Sequence, residues 1–126
     1  MILNLIRMEP IRQLRLNRDL EALLHDAAEA YLQDIPAPLK RLLPDYRAIE
    51  NRVDAAIRQK FGLPAEQHQT VKYADLVMLA SERRDFEIDE GSIWPCLEGV
   101  VPTDLFIINP VRPGQSYGMF INRFNE

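Results

Sequence analysis

The chain has 126 residues, the length of one domain with its own buried core. Its hydrophobic fraction of 47% and charged fraction of 27% are ordinary for a globular protein, and its net charge of −4 gives no general attraction to nucleic acid. No apolar run reaches membrane-spanning length, and the single cysteine, Cys96, excludes an intrachain disulfide. We therefore expect a single cytoplasmic domain over 1–126 that binds neither a nucleic-acid polymer nor a membrane.

The first third of the sequence predicts one long helix followed by a turn. Residues 1–18 mix apolar and basic side chains and indicate at most a short helix. A longer helix is predicted over 18–33, with Asn17 or Asp19 as its N-cap. The prolines in 35–38 end it, because the residue before a proline avoids the α conformation. A short helical turn is predicted over 38–43.

The rest of the sequence predicts three further regions. A helix over 45–61 has apolar residues at helical spacing and ends at Gly62. A helix from a Thr70 cap to about residue 84 is followed by an irregular cover over 86–115, in which 105–108 is a short strand or an extended segment. A last helix is predicted over 114–124. Its expected inward residues are Tyr117, Phe120, Ile121 and Phe124. The predicted fold class is all-α.

The clearest chemical signal is an adjacent His–Asp pair in the first long helix. At about 100° per residue, His25, Asp26 and Glu29 fall within one arc of roughly 100°, opposite the apolar residues. Asp75 falls on the predicted inward stripe of its own helix, with Val71, Ala74, Met78 and Leu79. An ionised carboxylate there is costly unless a cation, a metal or hydrogen bonds meet it.

An imidazole and two carboxylates form a donor set for a divalent metal ion. His25, Asp26 and Asp75 would suit Mn, Co, Fe, Ni or Zn, with open positions for water and a phosphate oxygen. The alternative is structural: the His–Asp pair is a solvated helix face, and Asp75 pairs with a lysine or arginine. Lys40 is a further candidate, as a contact to a substrate phosphate.

Three stretches of the sequence also carry a family resemblance. They are His25-Asp26 with Glu29, Asp34 and Ile35-Pro36-Ala37-Pro38-Leu39-Lys40; Leu42-Leu43-Pro44-Asp45-Tyr46 with Ile57-Arg58-Gln59-Lys60-Phe61-Gly62; and the run from Val71 to Asp85. In these the chain resembles the HD-domain metal-dependent phosphohydrolases, especially the bacterial 5′-deoxynucleotidases and their phage-borne relatives. The resemblance implies a helical bundle, a divalent metal and a small phosphomonoester substrate, most simply a nucleoside monophosphate.

The resemblance also implies roles for two further acids. Glu29 sits where the relatives have an acid beside the site, a general acid or base, and Asp34 matches the acid that positions the attacking water. Alternatively, Glu29 is a helix-surface glutamate and Asp34 satisfies local N–H groups in a turn.

The sequence departs from the family pattern at its start. The family has an earlier helix with another metal-binding histidine, and no histidine precedes His25 here. The expectation is therefore a truncated HD-domain bundle with three protein ligands. Two other interpretations stay open: a non-catalytic binding or assembly module, and a chain whose annotated start lies too far downstream. Because little chain is left to cover the first and third helices, we also expect a homo-oligomer.

Overall fold

The structure is a computed structural model that describes residues 12–89 and 91–126, with side chains from residue 17 onward. The described part of the chain is all-helical and contains no strand, which confirms the predicted fold class. In chain order the elements are α1 (Arg12–Leu24), α2 (Glu29–Leu32), α3 (Ala37–Lys40), α4 (Pro44–Phe61), α5 (Gln69–Asp85), a 3₁₀ turn (Pro95–Leu97) and α6 (Pro113–Phe124). Within those residues, every helix is too short or too polar to cross a lipid bilayer. The predictions for residues 1–11 lie outside the described ranges.

The first long helix was predicted with the wrong bounds. Helix α1 begins at Arg12, so Asn17 and Asp19 lie inside it and are not its N-cap. It ends at Leu24, and a turn over 25–28 separates it from α2. A side-chain hydrogen bond contributes to this break. The His25 ring donates to the carbonyl oxygen of Ala22, and in a continuous helix that oxygen would accept the amide of Asp26 instead.

Helix α4 agrees with its prediction, whereas α5 differs in its cap and in its buried face. Gly62 ends α4 in the left-handed conformation, at φ 67° and ψ 27°. The cap of α5 is His68 and not Thr70, because the His68 ring accepts the Thr70 amide. Asp75 was wrongly placed on the inward stripe, since its side chain is 52% exposed. The buried residues of α5 are Val71, Ala74, Val77, Met78, Ala80 and Ser81.

The core lies where α5 packs against α1, and a charged network closes one end of it. Glu21 is fully buried and accepts hydrogen bonds from Arg18, from Arg58 and from the amide of His68. Arg58 also donates to Asp54 at 2.9 Å and to the carbonyl of Pro64 at 2.9 Å. This network joins α1, α4 and the 62–68 loop around one buried carboxylate.

The irregular region between α5 and α6 is held by groups at the end of α5. Ser81 Oγ accepts the amide of Thr103, and Asp85 accepts the amide of Ile108, whose side chain is buried. Residues 105–108 form no strand. Helix α6 lies close to its predicted position, but its predicted inward face was wrong: Tyr117, Phe120 and Phe124 are 70%, 38% and 41% exposed, and α6 contains no buried residue. At the end of α6, Phe124 packs edge-on against Phe61, and Arg123 pairs with Asp19. These two contacts anchor α6 by its C-terminal turn.

Candidate metal centre

The structure brings His25, Asp26 and Asp75 together. His25 Nε2 lies 2.9 Å from Asp26 Oδ2 and 3.3 Å from Asp75 Oδ1. One candidate ligand atom from each residue lies within 4.8 Å of the others. The three residues come from two elements far apart in sequence, the turn after α1 and the second turn of α5. We call them the His–Asp–Asp cluster.

The break at the end of α1 aims the imidazole at the two carboxylates. His25 Nδ1 lies 2.7 Å from the carbonyl oxygen of Ala22, and a carbonyl can only accept, so Nδ1 carries the proton and donates it. This bond fixes the ring orientation and leaves Nε2 to face the acids. A backbone carbonyl behind the far ring nitrogen is the usual support of a metal-binding histidine.

The three side chains differ sharply in exposure. The His25 side chain is 12% exposed, whereas those of Asp26 and Asp75 are 60% and 52% exposed. The imidazole thus sits at the protein side of the cluster, and the carboxylates border solvent. Such an arrangement holds the nitrogen rigidly while leaving the acids accessible to water or a ligand.

The electrostatics of the cluster favour a positive charge at Nε2. Burial lowers the pKa of His25, but the hydrogen bonds to Asp26 and Asp75 outweigh burial and raise that pKa to about 10. The same contact to His25 lowers the pKa of Asp26. A proton on Nε2 and a divalent cation are therefore competing occupants of one negatively charged position.

A cleft opens beside the cluster, with a volume of about 210 Å³. Its lining combines His25, Asp26, Ala28 and Glu29 from the α1–α2 region with Glu50, Asn51, Asp54 and Arg58 from α4, and Gln67. Polar side chains dominate this wall, so the cleft suits a polar ligand.

Glu29 is an acid on the cleft wall whose pKa is raised by its surroundings. Burial, followed by the charges of Asp26 and Asp34, raises the pKa of its carboxyl group. A glutamate with a raised pKa can give and take a proton nearer to neutral pH. The structure thus places Glu29 on the cleft wall, at the start of α2 and four residues after His25.

Asp34 lies apart from the cleft wall, in the segment after α2. The turn before it is unusual, since Gln33 has a positive φ of 68°, a conformation that a residue with a side chain rarely adopts. Tyr46 holds this turn: its hydroxyl donates to the carbonyl oxygens of Gln33, at 2.9 Å, and Leu32, at 3.3 Å. The charge of Asp34 raises the pKa of Glu29, and through this effect Asp34 bears on the site.

Lys40 is engaged by an acid of α4. Its Nζ atom donates to Glu50 at 2.7 Å and lies 5.8 Å from the centre of the Tyr46 ring. Lys40 thus contacts Glu50, which lines the cleft, and its positive charge acts to lower the pKa values of Asp26 and Glu29. A substrate phosphate would meet this ammonium together with its carboxylate partner.

Sequence reasoning missed the wall that α4 contributes. Glu50, Asp54 and Arg58 follow one another at intervals of four residues, so they share one face of a helix. That regular polar stripe was a usable signal, although it does not say which element the face meets. The structure shows that it faces the turn carrying His25 and Asp26.

Comparison with known proteins adds a relative without assigning a function. No family model matches the chain, and no solved structure matches it. The chain is similar to YfdR of Escherichia coli strain K12, described only as an uncharacterized protein, with 61% identity over 106 residues. The matched region is 84% of this chain and 60% of that relative, so the chain spans about 60% of the relative's length.

Proposed function

We propose that this protein is a divalent-metal-dependent phosphohydrolase of the HD-domain type, acting on a small phosphomonoester. The observation that carries the proposal is the convergence of His25 Nε2, Asp26 and Asp75 from two separate elements, with ligand atoms within 4.8 Å of one another. The packing of α5 against α1 brings Asp75 to the turn that carries His25 and Asp26, and the hydrogen bond from His25 Nδ1 to Ala22 turns Nε2 toward both acids.

The residues present fit a divalent cation of the first transition row. Ligands at about 2.0–2.2 Å from one ion lie roughly 2.8–3.6 Å from each other at octahedral or tetrahedral angles. The separations of 2.9 Å and 3.3 Å from Nε2 to the two carboxylates lie within this range. A nitrogen with two oxygens suits Mn, Co, Fe, Ni or Zn, and three protein ligands leave positions for water and substrate.

The side chains of this protein would share the work of hydrolysis. When bound, a divalent cation lowers the pKa of a coordinated water and offsets negative charge on the phosphoryl oxygens. Glu29, on the cleft wall with a raised pKa, is the group that moves a proton between water and the leaving oxygen. Asp34 lies outside the cleft lining and would act on the proton transfer through its charge, which raises the pKa of Glu29.

The substrate class follows from the cleft and from the resemblance together. A polar cleft of about 210 Å³ accommodates a phosphoryl group and part of its alcohol. The preference for a nucleoside monophosphate rests on the resemblance to the 5′-deoxynucleotidases alone. Lys40 is the candidate for a substrate contact at the rim.

The test is a phosphatase screen of the purified protein with Mn²⁺ or Co²⁺, using nucleoside 5′-monophosphates and simple sugar phosphates. We expect release of inorganic phosphate that stops on chelation and on Asp75→Asn, while Glu98→Gln, at an exposed acid outside the cleft, retains it. A protein that binds metal yet hydrolyses none of these compounds would instead support the non-catalytic binding or assembly module.

A further inference from the structure

A second pocket adjoins the cleft beside the His–Asp–Asp cluster, and its lining is net positive where that of the cleft is net negative. It has a volume of about 260 Å³ and is lined by Ala37, Lys40, Arg41, Arg47, Glu50 and Asn51. Glu50 and Asn51 also line the cleft beside the His–Asp–Asp cluster, so one pair of α4 side chains separates the two spaces. The two spaces are therefore neighbours, as a ligand with groups in both would require.

The two spaces differ in their balance of charge. The cleft beside the cluster is lined by four acids, Asp26, Glu29, Glu50 and Asp54, with Arg58 and His25, whereas the second pocket carries three cations and one acid. That one acid, Glu50, is paired with Lys40 at 2.7 Å. The net positive charge of the second pocket therefore comes from Arg41 and Arg47.

These two arginines have no acid partner within the described part of the chain. Neither guanidinium takes part in an ion pair or a side-chain hydrogen bond with a described residue, whereas Arg58, Arg84 and Arg123 all pair with carboxylates. Arg41 follows α3 directly and Arg47 lies near the start of α4, so the short 41–43 connection holds them together at one pocket. Two unpaired guanidinium groups at one concave site suit a phosphate, which they bind through paired N–H donors.

We propose that Arg41 and Arg47 bind a second phosphate group of the substrate, at a distance from the phosphate that is cleaved. This inference rests on the proposed function and names its substrate class: a phosphomonoester with another phosphate elsewhere on the same molecule, such as a nucleoside bisphosphate. Hydrolysis adds one water across the ester P–O bond beside the His–Asp–Asp cluster. The alcohol oxygen takes a proton, inorganic phosphate leaves, and the second phosphate stays on the product.

Lys40 has an intermediate place in this arrangement. It contacts the second pocket directly, and its charge interacts with Glu29 in the first. Lys40 is paired with Glu50, which lies between the two spaces, so this pair adds no net charge to either one. The specificity for a second phosphate is therefore assigned to the two arginines.

The test compares adenosine 3′,5′-bisphosphate with AMP in the full chain. We expect the ratio of kcat/KM for the bisphosphate to kcat/KM for AMP to fall about tenfold or more in Arg41→Ala/Arg47→Ala, since each phosphate–guanidinium contact is charge-assisted. Arg52→Ala removes an exposed arginine of α4 outside both pockets and should leave that ratio unchanged. An unchanged ratio in the double variant overturns the inference, because the arginines would then not distinguish the two substrates.

A binding measurement separates this inference from the proposed hydrolysis. Calorimetric titration of adenosine 3′,5′-bisphosphate in the presence of chelator needs no turnover. We expect the dissociation constant to rise about tenfold in Arg41→Ala/Arg47→Ala and to stay constant in Arg52→Ala. Binding that is equal in all three proteins overturns the second-phosphate site. Arginine-dependent binding without hydrolysis of either the bisphosphate or AMP in the presence of Mn²⁺ or Co²⁺ overturns the proposed function and leaves the anion site standing.

Discussion

At the scale of single residues, the site depends on one side-chain bond to the backbone. The donation from His25 Nδ1 to the Ala22 carbonyl selects which ring nitrogen faces Asp26 and Asp75. Neighbouring charge then decides what the nitrogen holds, because two carboxylates around Nε2 attract either a proton or a metal ion. One imidazole thereby gains both a fixed direction and a strong preference for positive charge at its tip.

This electrostatic balance predicts how stability varies with pH in chelator-treated protein. The His25 pKa is raised from 6.5 to about 10, so the folded state holds the proton more tightly than the unfolded state. The resulting stabilisation is fully present below pH 6.5 and is lost as pH rises toward 10. The Tm measured by thermal unfolding should fall from pH 6 to pH 10, and it should fall less steeply in His25→Gln. Parallel curves of Tm against pH for the two proteins would refute the role of His25 in this pH dependence.

Glu29 is predicted to matter for turnover and not for metal affinity. In Glu29→Gln we expect kcat to fall by roughly 10²-fold, the usual effect of losing a proton-transfer group, because an amide cannot accept or give up the proton. The dissociation constant for Mn²⁺ should change less than about twofold, since Glu29 is outside the cluster of ligand atoms. Steady-state kinetics with a parallel metal titration checks both, and unaltered turnover would remove Glu29 from the chemistry.

Residue identities were easier to predict from the sequence than residue environments. The adjacent His25–Asp26 pair could be selected by residue type and spacing, whereas Asp75 was selected for a place on the inward stripe that it does not occupy. The half-exposed position of Asp75 could not be predicted from the sequence. The neighbours that α5 packs against decide which of its faces is buried, and the apolar spacing along α5 indicates that face only weakly. Glu50 and Asp54 escaped notice for the same reason: their helix face acquires a role only once its partner is known.

At the scale of elements, buried polar groups connect the helices that carry the site. The carboxylate of Glu21 joins α1 to α4 and to the cap of α5, one turn before His25. Ser81 and Asp85 do the same for α5 and the irregular segment. Helix α4 was predictable because its apolar spacing and Gly62 agree, while the end of α1 was not, because the turn at 25–28 involves a specific His25 contact that no propensity encodes.

The Glu21 network gives a prediction about stability. Arg58→Met leaves the fully buried Glu21 carboxylate with less positive charge, and we expect a loss of about 3 kcal/mol in the free energy of unfolding, the low end for a broken buried pair because Arg18 still contacts it. Glu21→Gln combined with Arg58→Met should cost less than the sum of the single changes. Urea unfolding of the four proteins checks this, and strict additivity would contradict the coupling.

The attachment of the irregular segment gives a second prediction at this scale. Ser81→Ala removes the acceptor of the buried Thr103 amide, and an unsatisfied buried donor costs about 1–3 kcal/mol. Ser116→Ala, on the exposed face of α6, is the matched control and should shift stability by less than about 0.5 kcal/mol. Equal effects of the two substitutions in urea unfolding would show that the Ser81 contact does not hold the segment.

At the scale of the whole molecule, the described chain combines a small buried core with many exposed apolar side chains. The buried apolar residues are mostly small, and the larger ones at the surface include Tyr117, Met119 and Phe124 on α6. The homo-oligomer expected from the sequence stays a prediction, and surface of this kind favours it. Light scattering after gel filtration should give a mass above the 14.6 kDa of one chain, and a single 14.6 kDa species at micromolar concentration would contradict it.

The most direct measurement of the central claim is a titration of the chelator-treated protein with Co²⁺ or Mn²⁺ by calorimetry. We predict binding of about one ion per chain, weakened at least tenfold by Asp26→Asn and by Asp75→Asn, since each removes one of three ligands. Glu98→Gln should bind as the unaltered protein does. A protein that takes up no metal, or takes it up equally well in all four forms, would contradict the assignment of His25, Asp26 and Asp75 as a metal centre.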